Sequence, residues 1–305
     1  MCDRGISLQR SGSIPGLSER ILFILILVVA SATAAVGRAE ELDDEDIPLS
    51  IIPVSYRDQI ERGFNLLYEL KFVEARRQFA SWQQKNPDDP LGHVSMAAGY
   101  LFEEFYYQNV LTSDFFLNDK RLLGGIDGKP DHGRATKFEE EDRKGIYLAT
   151  NRLRANARDS DALFALTLAT GMRADFKAIL ERRQMESLVL IKEAEHYAEE
   201  LLEVKPDAAD AWLSLGAANY ILGSLPAYKR FFLWFDQIHG DKSVGMQQLR
   251  ITASKGHYLK PFAEILLALA ALREKQDDVA RMLLSQLVAQ YPDNHLFASE
   301  LARLN

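Results

Sequence analysis

Six histidines, one cysteine and a few acidic clusters are the side chains of this sequence that could do chemistry. His93, His132, His196, His239, His257 and His295 form no His-Glu-x-x-His or comparable helical spacing, so zinc hydrolysis has no support. Glu195-His196 with Glu199 and Glu200 lies on a helix whose alanine face packs, and reads as a solvated charged face. Asp114, Asp119, Asp127, Gly128 and Asp131 invite a calcium site, but the alternating acids of an EF-hand loop are missing. Gly124-Gly125-Ile126-Asp127-Gly128 is glycine-rich, yet no strand precedes it and no Gly-Lys-Ser/Thr ends it, as a phosphate loop requires. No Gly-x-Ser-x-Gly elbow occurs, and Ser81, Ser95 and Ser214 fall within helices. Cys2, at the extreme N-terminus, excludes a disulfide framework, a Cys-ligated zinc and a cysteine nucleophile from the body of the chain. The residues therefore predict no enzyme, no metal and no cofactor.

The elements that would position any site belong to a chain of 305 residues with 47% hydrophobic and 26% charged side chains, enough for a sizeable core. Its 36 Lys and Arg against 44 Asp and Glu leave a net charge of −8, which argues against a nucleic-acid backbone as partner.

Arg4, Arg10 and Arg20 precede an uncharged apolar run from Ile21 to Val36, and the small residues Ala32, Thr33, Ala34, Ala35, Gly37 and Ala39 lie in and after it. This order is that of a secretory signal over residues 1–39, cleaved after Ala39. The run is shorter than the ~20 residues of a comfortable membrane span, so an uncleaved anchor is the alternative and the one route to membrane association. Residues 1–39 carry four arginines against Asp3 and Glu19, so the remainder carries −10 and no cysteine, compatible with an oxidising compartment. Residues 40–55 open with the acidic tether Glu40 to Pro48. The localisation expected is periplasmic or secreted.

Beyond Tyr56 strand signals are nearly absent, and apolar residues recur three and four apart in Arg57 to Leu70, Val73 to Lys85 and Ala209 to Leu222. Gly63, Phe72, Ala75, Phe79 and Pro87 occupy the small, aromatic, Ala, aromatic and Pro positions of a 34-residue tetratricopeptide (TPR) unit. Trp212, Leu215 and Gly216 give the Trp-x2-Leu-Gly opening of another; Ala194 with Pro206, and Ala280 with Pro292, close two second helices. The small residues let antiparallel helices approach, and each proline stops a helix before the next turn. Unit ends at Pro87, Arg158, Pro206, Tyr258 and Pro292 stand 71, 48, 52 and 34 residues apart, so only the last unit lacks extra length. The expected fold is all-α, a right-handed α-solenoid of about five TPR-like hairpins over residues 56–305. It has insertions at 106–142 and 223–240, a longer first helix around Arg173 to Arg183, and a cap from His295 to Leu304.

One segment is more specific. Ile221-Leu222-Gly223-Ser224-Leu225-Pro226, a short aromatic stretch, and Gly240-Asp241-Lys242-Ser243-Val244-Gly245-Met246 together resemble the tetratricopeptide repeat 39 and inclusion-body-clearance family. Lys242 stands where that family has Arg, and Met246 where it has Leu. The resemblance implies an interaction scaffold and no known chemistry. In this segment Pro226 suits a first helical position, Gly240 a helix end and Asp241 an N-cap. Phe231, Trp234, Phe235 and Ile238 would share one face, with Tyr228 and Phe232 beside it.

In TPR arrays the first helix of each unit lines a concave groove. That register places Ile60, Phe64, Leu67 and Tyr68; Val94, Ala98, Leu101 and Phe102; Leu213, Ala217, Tyr220 and Ile221; and Phe262, Ile265 and Leu269 there. A lining this apolar is no basic clamp for acidic tails and cannot stay wet. The binding positions expected are Phe64, Tyr68, Val94, Leu101, Phe102, Leu213, Tyr220 and Ile221. The insertion carrying Phe105, Tyr106, Tyr107, Phe115 and Phe116 is the nearest filler, ahead of a partner helix or an acyl chain. The function expected is a non-enzymatic exported scaffold with protein partners; the alternative is a carrier or sensor of an apolar ligand in the groove.

Overall fold

The computed structural model describes residues 58–224 and 240–304. The signal, the acidic tether, Tyr56 and most of the aromatic segment, including Pro226, Tyr228 and Phe231 to Ile238, lie outside the described residues. Among those described, every regular element is helical.

Five antiparallel hairpins follow one another. Hairpin 1 pairs α1 (Asp58–Tyr68) with α2 (Phe72–Lys85), and hairpin 2 pairs α3 (Pro90–Tyr107) with the long α6 (His132–Ala155). Between these last two run the short α4 (Ser113–Leu117) and α5 (Asp119–Gly124). Hairpin 3 pairs α7 (Ser160–Asp175) with α8 (Gln184–Val204), hairpin 4 pairs α9 (Ala211–Gly223) with α10 (Lys242–Lys255), and hairpin 5 pairs α11 (Lys260–Arg273) with α12 (Asp277–Gln290). The closing helix is α13 (His295–Ala302). Each helix of a hairpin packs on the next hairpin helix in the chain, which makes the fold an α-solenoid of TPR-like hairpins.

Two turns between hairpins and the turn before α13 share one construction. The amides of Asp89, Asp159 and Asn294 donate to the carbonyls of Asn86, Asn156 and Tyr291 at 3.0–3.1 Å. Their side chains then accept from the first helical amides: Asp89 from Leu91, Asp159 from Asp161 and Ala162, Asn294 from Leu296. Each is an N-cap that satisfies donors the helix cannot, and Pro90 at the first position of α3 supplies a preset φ. Asp210 does more. Its half-buried carboxylate accepts from the amides of His257, Tyr258 and Leu259 at 2.9–3.1 Å and fastens one inter-hairpin turn to the next.

Within hairpins the small residues act as spacers. A Cβ on Gly63 would run into the Phe79 ring. One on Gly216 would lie 2.9 Å from the Leu249 amide nitrogen and 3.1 Å from the Gly245 carbonyl, so α9 and α10 touch backbone to backbone. Ala75, Phe79, Ala194, Leu215 and Ala280 are buried at the matching positions, Trp212 is half-buried, and Pro87, Pro206 and Pro292 stand exposed after their helices.

Element ends differ from the expected ones in two places. The helical period of α3 runs on to Tyr107 and α6 already begins at His132, so only residues 108–131 intervene in the first insertion. The extra length near Arg173 to Arg183 is a π-helical turn, Phe176–Leu180, continuing α7. Its Ile179 carbonyl accepts from the Ile126 amide at 3.0 Å, and Phe176 stacks on Phe138 with ring centres 4.7 Å apart. In this last turn the carbonyls have no partner within the helix, and the insertion uses that of Ile179.

Candidate functional site

The expected groove lining contains Phe64 and Tyr68 on α1 and Phe102 on α3, and Phe64 also meets Phe79 of α2 edge-on at 5.7 Å. In the structure their further partners come from the other end of the chain. Phe64 lies 5.5 Å from the ring of Tyr258, Tyr68 lies 5.5 Å from that of Tyr291, and Phe102 meets Phe262 edge-on at 5.7 Å. Phe164 of hairpin 3 stacks on the same Tyr258 at 5.9 Å, so one aromatic side chain ties hairpins 1 and 3 to the head of hairpin 5. Polar bonds fasten the contact. The Tyr68 hydroxyl donates to the Tyr258 carbonyl at 3.0 Å, Tyr291 to Asn65 Oδ1 at 3.0 Å, and Lys71 pairs with Asp293 at 2.6 Å. The superhelix therefore closes on itself, and one apolar core runs from Ile60 to Phe297.

This closure changes how the lining is filled. The α10–α11 turn, α11 and the end of α12 join the expected insertion in filling it. Five hairpins bring the last unit back onto the first, and α11 presents aromatic side chains at that point. The insertion takes part as well: Phe115 is fully buried in the same core and α4 packs on α11. Glu300 of α13 accepts from the Ser113 amide and hydroxyl, Arg303 pairs with Asp114 at 3.3 Å, and Arg273 donates to the Phe116 carbonyl at 3.3 Å.

The other expected lining residues separate. Val94 is fully buried and faces its own hairpin partner: a Cβ on Gly145 of α6 would lie 2.5 Å from Val94 Cγ2. Leu101 and Leu213 are buried in the continuous core. Tyr220 is half-buried and its hydroxyl donates to Glu274 at 3.4 Å; burial first, and that carboxylate second, push it up to about 12. Of the eight, Ile221 alone is exposed. Sequence reasoning missed Tyr258, Tyr291 and Asn294 as lining contacts. The available signal was an aromatic or a capping residue repeated in turns that had only to be polar.

Two buried carboxylates organise hairpin 2. Glu104 accepts from Arg134 at 2.6 Å, from the Asp131 amide at 3.0 Å and from Gln108 at 2.8 Å, which pins the end of the insertion to α3. Asp142 receives two bonds from Arg173 on one oxygen, at 2.6 and 2.9 Å, and its other oxygen has no protein partner. Burial raises its pKa to about 6 despite the guanidinium.

For chemistry the structure offers little. His93 Nδ1 lies 2.6 Å from a Glu141 oxygen that also accepts from Gln83 at 2.9 Å. The trio braces α2, α3 and α6. Burial raises the Glu141 pKa, but the bond from His93 and its charge hold it below the usual carboxylate range. No group of three His, Cys, Asp or Glu side chains is placed to hold a metal among the described residues. Two open depressions lie on the surface: one of 670 Å³ along Asp114, Leu117, Asn118, Lys120 and Arg121, and one of 300 Å³ along Glu61, Arg62, Asn65, Leu66 and Glu69. Neither gathers convergent acids and bases around a reacting position. No described helix is long and apolar enough to cross a membrane.

No family model matches this chain, and no curated protein matches it. Among solved structures it is similar to a thermophilic TPR protein in Thermus thermophilus, at 12% identity and a TM-score of 0.43, over 82% of this chain and 98% of that one.

Proposed function

We propose that this chain is a non-enzymatic, exported α-solenoid that serves as a protein–protein interaction or assembly scaffold in the cell envelope. The observation that carries the reading is the division of its apolar surface. The concave lining is satisfied by the chain itself, while large apolar side chains such as Val189 and Met185 remain exposed on the outside. A catalytic function would need convergent titratable groups around a pocket, and the described depressions supply none. Export rests on the residue order of positions 1–39, with the uncleaved anchor as its alternative. The likeness of Tyr220 to Leu249 to the tetratricopeptide repeat 39 and inclusion-body-clearance family agrees with a scaffold. The carrier reading draws no support from the described lining, whose aromatic rings contact one another.

The test is crosslinking in the intact cell followed by fractionation. The proposal expects the chain in the envelope fraction, shortened at its N-terminus, in a complex of reproducible composition. A full-length chain in the cytoplasm, recovered without crosslinked partners, contradicts it.

A further inference from the structure

On the second helices of hairpins 2 and 3 the charged residues are sorted by sign. Residues 143–158, the later part of α6 and the turn after it, hold Arg143, Lys144, Arg152, Arg154 and Arg158 and no acidic residue. Residues 193–203, in the later half of α8, hold Glu193, Glu195, Glu199, Glu200 and Glu203 and no lysine or arginine. Helical spacing turns both runs outward. Opposite the buried Gly145 and Ala149, α6 exposes Arg143, Lys144, Tyr147 and Arg154. Opposite the buried Ala194, Ala198 and Leu201, α8 exposes Val189, Glu193, His196 and Glu203, with Glu200 half-buried between them. Val189 at 67% and Tyr147 at 64% are the two most exposed large apolar side chains among the described residues, and each stripe carries one of them.

Both runs keep their sign after the ion pairs around them are counted. The acids bordering the basic run are engaged: Glu140 with Lys137, Glu141 with His93, Asp142 with Arg173, and Asp159 and Asp161 with Arg152. That leaves Glu139 against Arg143, Arg154 and Arg158, none of which makes an ion pair among the described residues. Of the bases bordering the acidic run, Lys192 is engaged with Glu195, and His196 lies 3.3 Å from Glu200. That leaves Lys205 against Glu193, Glu199 and Glu203, which are likewise without an ion pair among the described residues. The two stripes also stand at matching heights. Arg173 of α7 bonds Asp142 of α6, while Leu153 of α6 and Ala198 and Leu201 of α8 gather around Leu163 of α7. α6 and α8 therefore flank α7 and run the same way, with Tyr147 level with Glu193 and Arg154 level with Glu200.

We propose that the outward stripes of α6 and α8 form the interface of a two-fold homodimer. An axis lying in the interface, parallel to the two helices and midway between them, lays α6 of one copy on α8 of the other and keeps the heights aligned. Each Arg154 then meets the other copy's Glu200 and Glu203, and each Tyr147 meets its Glu193. Each Val189 is covered by the aliphatic stems of the other copy's Arg143 and Lys144. A second copy is the partner that satisfies both stripes at once. An acidic protein or an anionic lipid surface would suit α6 and be repelled by α8 beside it, and a basic partner the reverse. The 21 residues of α8 span about 30 Å, so the two stripes side by side offer an area on the order of the 800 Å² per copy of a standard interface.

Sedimentation velocity of the full chain over a concentration series, at low and at high salt, is the test. The expected result is a reversible species of twice the chain mass that weakens about tenfold or more between roughly 50 and 500 mM salt. Arg154→Glu alone and Glu200→Arg alone should each weaken association about tenfold, and the two together should restore it. Tyr147→Ala should weaken it with helicity unchanged, since that side chain is mostly exposed. Recovery in the exchanged pair keeps the test decisive whatever a single variant does to stability. A wild type that stays a single copy at every concentration overturns the proposal, as does a dimer that ignores these substitutions. So does a single copy that floats with phosphatidylglycerol vesicles and is released by Arg154→Glu, which would make α6 a lipid-facing surface.

Discussion

The side-chain amide of Asn294 donates to the backbone carbonyl of Tyr68 at 2.7 Å, joining residues 226 positions apart. The same Asn294 caps α13 through its oxygen, so one side chain both starts the last helix and receives the end of the first. Tyr68 carries the matching double role, since its carbonyl accepts from Asn294 while its hydroxyl donates to Tyr258. Closure of the solenoid is built from such shared residues, and the predictions follow from what they touch.

Glycine contacts distinguish spacing from mere helix propensity. Gly216→Ala places a methyl 2.9 Å from a backbone nitrogen of α10 and should destabilise by about 1–3 kcal/mol, with Gly216→Leu worse. Gly171, inside α7, has open space around its missing Cβ, so Gly171→Ala should stabilise by about 0.5–1 kcal/mol through helix propensity. Urea unfolding of the two variants, shifting in opposite directions, checks the hairpin register.

Asp142 makes a pH prediction with an unusual sign. Its folded pKa of about 6 lies above the ordinary carboxylate value of 3.8, so between those limits the folded state holds the extra proton. Its contribution to stability is therefore most favourable in acid and is lost as the pH rises through about 6. Relative to Asp142→Asn, the wild type should lose roughly 1–3 kcal/mol between pH 4 and pH 7. Parallel stability profiles for the two proteins would show that the carboxylate is solvated.

Glu104 predicts a local effect. Glu104→Ala removes the acceptor of the Asp131 amide and leaves Arg134 without its carboxylate, at a cost of roughly 2–3 kcal/mol. The released segment carries Lys120 and Arg121, so limited trypsin digestion should cut there faster than in the wild type while the hairpins stay intact.

The hairpins were legible because their determinants are local. Gly63 with Phe79 and Gly216 with Leu249 are contacts inside one hairpin, and Pro87, Pro206 and Pro292 mark turns whose caps lie within a few residues. The share of the filling that comes from the last hairpin was not legible. Whether Phe102 meets Phe262 depends on the summed rotation of several hairpins, which no single window of sequence carries. Val94 shows the same gap on a smaller scale: its spacing suits the concave face, but the missing side chain at Gly145 lets α6 close over it. Nothing in the sequence around Asp142 singles it out, and only the approach of α7 brings Arg173 to it. Ile221 fell at a lining position by register and sits on the exposed edge because α9 ends two residues later.

The closure itself is tested by spin labels at Lys71→Cys and Asp293→Cys in a Cys2→Ser background, with the distance read by pulsed electron resonance. A closed solenoid, whose native side chains meet there at 2.6 Å, gives a single narrow distribution at the short limit of the method. A broad or long distribution would mean that the first and last hairpins stand apart and that the concave lining is open.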